Sequence, residues 1–223
     1  MSTVFYWIKR LLPDVILTVT RPPYHFILAW LGAMVYRNPS RELTVIAVTG
    51  TKGKSTVVEL ITAILAAEHT VASLSTIQFR IGSVVKQNLH KMTMPGRFFT
   101  QKFLRDAADV GCTYAIIEMT SEGAKQFRHR FIELDALVFT NLTPEHIESH
   151  GSFEQYKQAK LEIAKQLERS NKRPRYIVSN IDDEYGENFL AVDVEEKLPY
   201  GLSSLKLHTL HKDGVGLIFQ DHN

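Results

Sequence analysis

The chain has 223 residues, 44 % hydrophobic and 22 % charged, ordinary proportions for a soluble globular protein with one large domain or one domain plus an appendage. Its net charge of +2, with basic residues scattered and no Lys/Arg run interleaved with aromatics, gives no argument for nucleic acid. The single cysteine, Cys112, excludes a disulfide framework and a cysteine-based metal site and fits a reducing, cytoplasmic compartment. In chain order, residues 1–12 (MSTVFYWIKRLL) are expected to form a short amphipathic helix, and Pro22-Pro23 starts a second apolar stretch, Tyr24 to Tyr36. Its 13 residues are too few to cross a bilayer, which takes about 20. No small-residue cleavage site follows a charged segment, so a signal peptide is not indicated. Residues 1–40 therefore read as an apolar helical appendage packed on the main domain. A second reading gives them peripheral membrane contact through Phe5, Trp7 and Trp30, flanked by Lys9 and Arg10.

Asn38-Pro39-Ser40 marks a boundary, and residues 41–223 read as one domain in which strands and helices alternate. A strand at 44–48 leads to a helix at 54–68. A β-rich stretch at 71–88 turns at Gly82-Ser83, and a helix covers 97–110. Then come a strand at 113–117, a short helix at 121–128, a strand at 136–139, a long helix at 153–169, a strand at 176–179 and a helix near 183–190. This order predicts an α/β fold with a mostly parallel, doubly wound sheet covered on both faces. Residues 197–200, 205–210 and 214–220, separated by Gly201 and Asp213-Gly214, read as a small antiparallel β unit.

The most informative stretch is Val45-Ile46-Ala47-Val48 followed by Thr49-Gly50-Thr51-Lys52-Gly53-Lys54-Ser55-Thr56. A buried strand, a glycine-rich turn ending in Gly-Lys-Ser and an amphipathic helix together form a phosphate cradle. Backbone N–H groups and the helix N-terminus face the anion, Lys54 adds a point charge, and the Ser55 hydroxyl can ligate Mg²⁺. The usual spacing would put glycine where Val48 stands. A nucleoside triphosphate is the expected ligand. Polar clusters also follow four predicted strand ends, at Gly50–Ser55, Glu118–Ser121, Thr140–Asn141 and Asn180–Asp183. In an open parallel sheet those ends border the ligand crevice, so the site is expected along that edge.

Glu118, just beyond the apolar run Tyr-Ala-Ile-Ile, is the candidate carboxylate partner of a P-loop hydroxyl on Mg²⁺; capping the helix near Ser121 is its alternative role. His146 and His150 have helical zinc-site spacing, but no third ligand is evident and Gly151 ends any helix. A hydrogen-bonding or Mg²⁺-neighbouring role suits His146 better, and a structural one His150. On the helix 153–169, Lys160 shares an apolar stripe with Tyr156, Ile163, Ala164 and Leu167. A lysine there must snorkel, pair or lose its charge, and the pattern by itself favours snorkelling. A neutral amine could instead add CO₂ and become a metal-binding carbamate.

From Leu43 to about Leu190 the chain resembles the central ATP-binding domain of the Mur ligases, ATP-dependent enzymes that build the peptide stem of peptidoglycan. The matching motifs are TGTKGKST (49–56), MTMPG (92–96), EMTSEGAKQFR (118–128), FTNLTPEHIESHG (139–151), YKQAK (156–160) and SNIDDEYG (179–186). Within the family it looks most like the UDP-N-acetylmuramoyl-dipeptide ligases that add the third residue. The resemblance implies an acyl phosphate formed from ATP on a UDP-MurNAc-peptide, then attacked by an amino acid's amine. It implies that Gly50, Thr51, Lys52, Gly53, Lys54, Ser55 and Thr56 cradle the phosphates, with Lys54 on the β- and γ-phosphates. It assigns Ser55 and Glu118 to one Mg²⁺, and His146 with carbamylated Lys160 to a second. Asn141 would lie near the phosphates and Asn180 near the adenine, while Thr93, Ser121, Gln126 and Arg128 would face the nucleotide sugar.

The chain departs from the family pattern at Glu145, where Asp is usual before the histidine, at Thr120-Ser121-Glu122 for Ser-Ser-His, and at Thr93-Met94-Pro95 for Thr-Thr-Pro. These changes bear on the substrate more than on ATP. By the same comparison, the N-terminal domain that holds the UDP portion and the C-terminal domain that brings the amino acid are expected to be missing. The 223 residues alone are then expected to bind ATP weakly, without ligase turnover. A folylpolyglutamate synthase-like ligase and a non-catalytic nucleotide-binding module are the alternative readings.

Overall fold

The computed structural model describes residues 14–90, 92–145, 150–202, 207–211 and 214–218. Eight short strands form one sheet: β1 (Thr44–Thr49), β2 (Val71–Leu74), β3 (Gln78–Ile81), β4 (Val84–Gln87), β5 (Tyr114–Glu118), β6 (Ala136–Phe139), β7 (Tyr176–Asn180) and β8 (Glu196–Tyr200). Their order is β4-β3-β2-β5-β1-β6-β7-β8. All neighbouring pairs are parallel except those of the edge hairpin β2-β3-β4, which turns at Gly82 with φ +57 as its sequence suggests. The register pairs Val48 with Glu118, Thr49 with Phe139, and Phe139 with Ser179. The C-terminal ends of β5, β1, β6 and β7 therefore lie along one edge, where the four polar clusters were expected.

Helices cover both faces because successive strand residues point to opposite sides. Val48 and Ile116 pack with Val58 of α2 (Lys54–Leu65), while Ala47, Ala115, Leu137 and Ile177 face the other way. There they meet Phe103 and Leu104 of α3 (Arg97–Asp109) and Ile163, Ala164 and Leu167 of α5 (Phe153–Glu168). The short α4 (Ser121–Lys125) packs on α5, and α6 (Gly186–Leu190) on β7. α5 starts at Ser152, whose Oγ accepts the Gln155 N–H at 3.2 Å, so the Ser-x-x-Gln signature works as a cap.

Three features differ from the sequence reading. First, α1 (Asp14–Val35) runs straight through Pro22-Pro23 instead of starting after them. Both prolines are exposed, so the carbonyls they leave unbonded can turn to water, and Ala29 and Ala33 anchor the helix against α3. The helix expected over residues 1–12 lies outside the described residues. Second, β8 belongs to the main sheet, parallel to β7 from Tyr176↔Glu196 to Asn180↔Tyr200. A crossover through α6 returns the chain in the same direction, which a tight turn could not do. Its exposed face and Pro199 suit an edge strand. Only β9 (Leu207–His211) and β10 (Gly214–Ile218) form the separate antiparallel pair. Third, α2 and α4 stop about a turn early, at Leu65 and Lys125; beyond α4, Phe127 (φ 58) and Phe131 (φ 61) bend the chain.

His129, inside that bent segment, is 2 % exposed, and neither ring nitrogen has a hydrogen-bond partner among the described residues. Burial first, and then Arg130, hold its pKa down to about 3. The unfolded chain takes up this proton near the ordinary histidine pKa of about 6.5, whereas the folded one does not. Stability should therefore fall as pH drops below that value, by at most about 1.4 kcal/mol per pH unit. Between about pH 7.5 and about pH 5, urea midpoints should fall further for the parent than for His129→Leu, by roughly 2 kcal/mol in stability. Equal losses in both proteins would show that the histidine is not the cause.

Candidate active site

The turn after β1 needs glycine twice. Gly50 has φ +151 and Gly53 φ +79, backbone that side chains rarely adopt. The turn is laced to the end of β6: Thr51 N donates to Asn141 O at 2.8 Å, Lys52 N to Asn141 Oδ1 at 2.9 Å, and Asn141 Nδ2 to Lys52 O at 3.1 Å. Thr140 Oγ1 also donates to Lys52 O at 2.8 Å. Thr51 Oγ1 lies 3.0 Å from Tyr156 Oη and accepts the Thr143 N–H at 3.0 Å.

Lys54 opens α2, with Nζ 2.8 Å from Thr51 O and 3.9 Å from Glu118 Oε1. Burial lowers its pKa, and the Glu118 charge opposes that shift. Glu118 is buried at the end of β5, where its Oε2 accepts Ser55 Oγ at 2.8 Å. The same oxygen accepts both the N–H (2.8 Å) and the hydroxyl (3.0 Å) of Thr76. A serine hydroxyl and a carboxylate oxygen this close form a hard-oxygen pair of the kind Mg²⁺ takes. Glu118 does not cap α4; Thr120 does, its Oγ1 accepting the Gly123 N–H at 3.1 Å.

Lys160 does not snorkel. It is 2 % exposed, its Nζ donates to Gly50 O, and it lies 4.8 Å from the centre of the Tyr156 ring. Burial, and then the neighbouring Lys54 charge, bring its pKa down to about 7. The apolar stripe of α5 faces the core under the phosphate turn rather than the outer surface, so the amine ends inside the protein, against the turn.

A cleft of about 390 Å³ opens beside these groups. Its walls include Gly50, Thr51, Lys54 and Lys160 together with Thr93, Ser121, Gln126 and Arg128. Arg128 is fixed by bonds to Met94 O and to Gln126 Oε1 (2.7 Å). Lys52, Gly53 and Thr56 are exposed on the outer part of the turn and first helical turn, with Lys52 Nζ 3.0 Å from Glu145 Oε1. Asn141 and Asn180 do not line the cleft. The side-chain bonds of Asn141 go to the Lys52 peptide unit, while Asn180 donates to Thr140 O at 2.9 Å and accepts the Asp182 N–H at 3.1 Å. His146 lies outside the described residues. His150 is buried with its ring centre 5.2 Å from that of Tyr156, which fits a structural role.

Thr76 is the polar residue that the sequence reading missed. Besides holding Glu118, its Oγ1 is 2.7 Å from Thr93 Oγ1, so it links the carboxylate to a residue of the cleft wall. The signal was present: Thr76 follows the C-terminal end of β2, and polar strand ends marked the rest of the site.

Residues 48–215 match the family model described as the Mur ligase middle domain. The chain belongs to that family. It is 35 % identical over 192 residues to a UDP-N-acetylmuramyl-tripeptide synthetase of Roseiflexus sp. (strain RS-1), a match covering 81 % of this chain and 38 % of that protein. It is likewise 35 % identical over 196 residues to a UDP-N-acetylmuramoyl-L-alanyl-D-glutamate–2,6-diaminopimelate ligase of Clostridium botulinum (strain ATCC 19397 / Type A), covering 86 % of this chain and 39 % of that one. This Mur ligase middle domain thus spans less than two-fifths of the length of these relatives. A solved diaminopimelate ligase of the same name superposes with TM-score 0.61 at 28 % identity, over 72 % of this chain and 32 % of that one. A Mycobacterium tuberculosis folylpolyglutamate synthase shares the fold, with TM-score 0.62 at 14 % identity over 86 % of this chain and 50 % of its own.

Proposed function

We propose that this Mur ligase middle domain is the ATP- and Mg²⁺-binding part of a ligase that joins an amino acid to a UDP-N-acetylmuramoyl-peptide. The observation that carries the reading is one cleft lined by Lys54, next to the Ser55–Glu118 pair, and also by Thr93, Gln126 and Arg128. Phosphate-binding and substrate-facing groups then meet where a carboxylate would be activated as an acyl phosphate. Lys54 and the turn N–H groups orient and neutralise the phosphates. Ser55 and Glu118 fit one Mg²⁺, which supplies charge neutralisation. Lys160, with its lowered pKa, suits carbamylation, and the carbamate with His146 is proposed for a second ion. The same reading includes a cytoplasmic location and peripheral membrane contact of residues 1–40.

Lys54→Ala tests it directly. Loss of a charge-assisted bond worth about 1.5–3 kcal/mol should weaken ATP binding roughly 10- to 100-fold in calorimetry, with the fold intact by circular dichroism. A variant that binds ATP as well as its parent overturns the phosphate assignment.

A further inference from the structure

The two sides of α1 differ sharply. Ala29, Gly32 and Ala33 are buried and allow close approach to α3; a Cβ on Gly32 would lie 3.7 Å from the Arg97 backbone. Tyr24, Ile27, Trp30, Leu31, Met34 and Val35 are each at least 40 % exposed. The spacing of Tyr24, Ile27, Leu31 and Met34 puts them on one helical face, with Trp30 and Val35 flanking. A contiguous apolar face of this kind marks an interaction site.

Charge identifies what it meets. Residues 1–41 carry Lys9, Arg10, Arg21, Arg37 and Arg41 against the single acid Asp14, a net +4 in a chain of net +2. The positive charge is therefore concentrated on the segment that holds the apolar face, and the rest of the protein is net negative. A second copy docked on this face would bring two equally basic segments together, whereas an anionic bilayer would attract them. Among the described residues no helix is long and apolar enough to cross a membrane. Exposed tryptophan and tyrosine on an apolar helical face with basic flanks suit the lipid interface.

We propose that this face of α1 lies on an anionic lipid surface, parallel to it, and holds the substrate side of the cleft there. α1 adjoins that side directly. Phe26 packs edge-on against Phe131 with ring centres 5.1 Å apart, and His25 Nδ1 is 2.5 Å from Arg97 Nη2. Arg97 Nε in turn donates to the carbonyl of Gln126, a cleft residue, at 2.9 Å. The proposal specifies the lipid class and contact face for the membrane contact included above, and it stands apart from the nucleotide chemistry.

The test is flotation of the 223-residue chain with vesicles of about 30 % phosphatidylglycerol in phosphatidylcholine, beside phosphatidylcholine alone. The expected result is flotation with the anionic vesicles, reduced at least about fivefold by Ile27→Glu/Met34→Glu, while ATP binding and melting temperature stay those of the parent. In a Trp7→Phe background the emission of Trp30 should shift to the blue when anionic vesicles are added. The idea is overturned if the parent ignores anionic vesicles, or if the double variant floats equally well. It is also overturned if sedimentation shows a dimer that the double variant dissociates while vesicles are ignored, since the face is then a self-interface. ATP binding read on the same samples keeps a failure here separate from a failure of the ligase reading.

Discussion

Gly50→Ala should lower the melting temperature by roughly 5–15 °C and abolish measurable ATP binding. The new Cβ would lie 1.9 Å from Thr140 Oγ1 and 3.1 Å from both N and O of Asn141. Thr140 cannot simply turn aside, because its hydroxyl donates to Lys52 O at 2.8 Å and this bond holds the turn. The φ of +151 at Gly50 adds backbone strain. Overpacking and strain each cost about 1–3 kcal/mol, and in a chain of this size each kcal/mol moves the midpoint by about 2–4 °C. Gly53→Ala is the control: its φ is +79, but apart from its chain neighbours no atom of the described residues lies within 4 Å of its Cβ, so only backbone strain of about 1 kcal/mol applies. Thermal melts of the two variants separate collision from strain. Equal midpoints would refute the close approach of β6 to the turn.

Lys160→Met should stabilise the protein near pH 7 while removing the metal chemistry proposed for that residue. The folded amine has a pKa of about 7, against about 10.4 for an unfolded lysine. Between those values the unfolded chain holds the proton more firmly, so stability rises with pH through this window and is lowest below about pH 7. The shift corresponds to roughly 5 kcal/mol of burial cost at the acid end. Methionine removes that cost but leaves Gly50 O without its lysine donor, a loss of about 1–3 kcal/mol. The net expectation is roughly 2–4 kcal/mol of added stability near pH 7, shrinking toward pH 10, read from urea unfolding at several pH values. A variant less stable than the parent at pH 7, or with the same pH slope, would contradict a lysine buried at a cost.

Most of the sheet could be read from the residues because its signals are local. Val45–Val48, Tyr114–Ile117, Ala136–Phe139 and Tyr176–Ser179 are short apolar runs, each followed by polar residues, and all four are parallel strands ending on one edge. The family motifs carried the phosphate turn and Glu118 with Ser55. What was not readable depends on distant partners. Residues 197–200 were legible as a strand, but with no buried residue nothing local assigns them to the main sheet; only pairing with β7 does. The stripe around Lys160 was plain, but not that the stripe lies beneath Gly50, which turns a snorkelling position into a buried one. Thr76 is important only because the chain brings it to Glu118, 42 residues away. The amides of Asn141 and Asn180 hold backbone, Asn141 at the phosphate turn itself, contacts that residue type alone does not announce.

The bonds between the phosphate turn and residues 140–143 carry a thermodynamic consequence. A free glycine-rich loop would lose conformational entropy on meeting a triphosphate, at about 1–2 kcal/mol for each residue ordered. Here that loss is incurred when the protein folds, because Thr51 and Lys52 are already bonded to Asn141. The turn is also tied directly to α5, by Thr51 Oγ1 to Tyr156 Oη at 3.0 Å and by Lys160 Nζ to Gly50 O. Any movement of α5 therefore pulls on the turn itself.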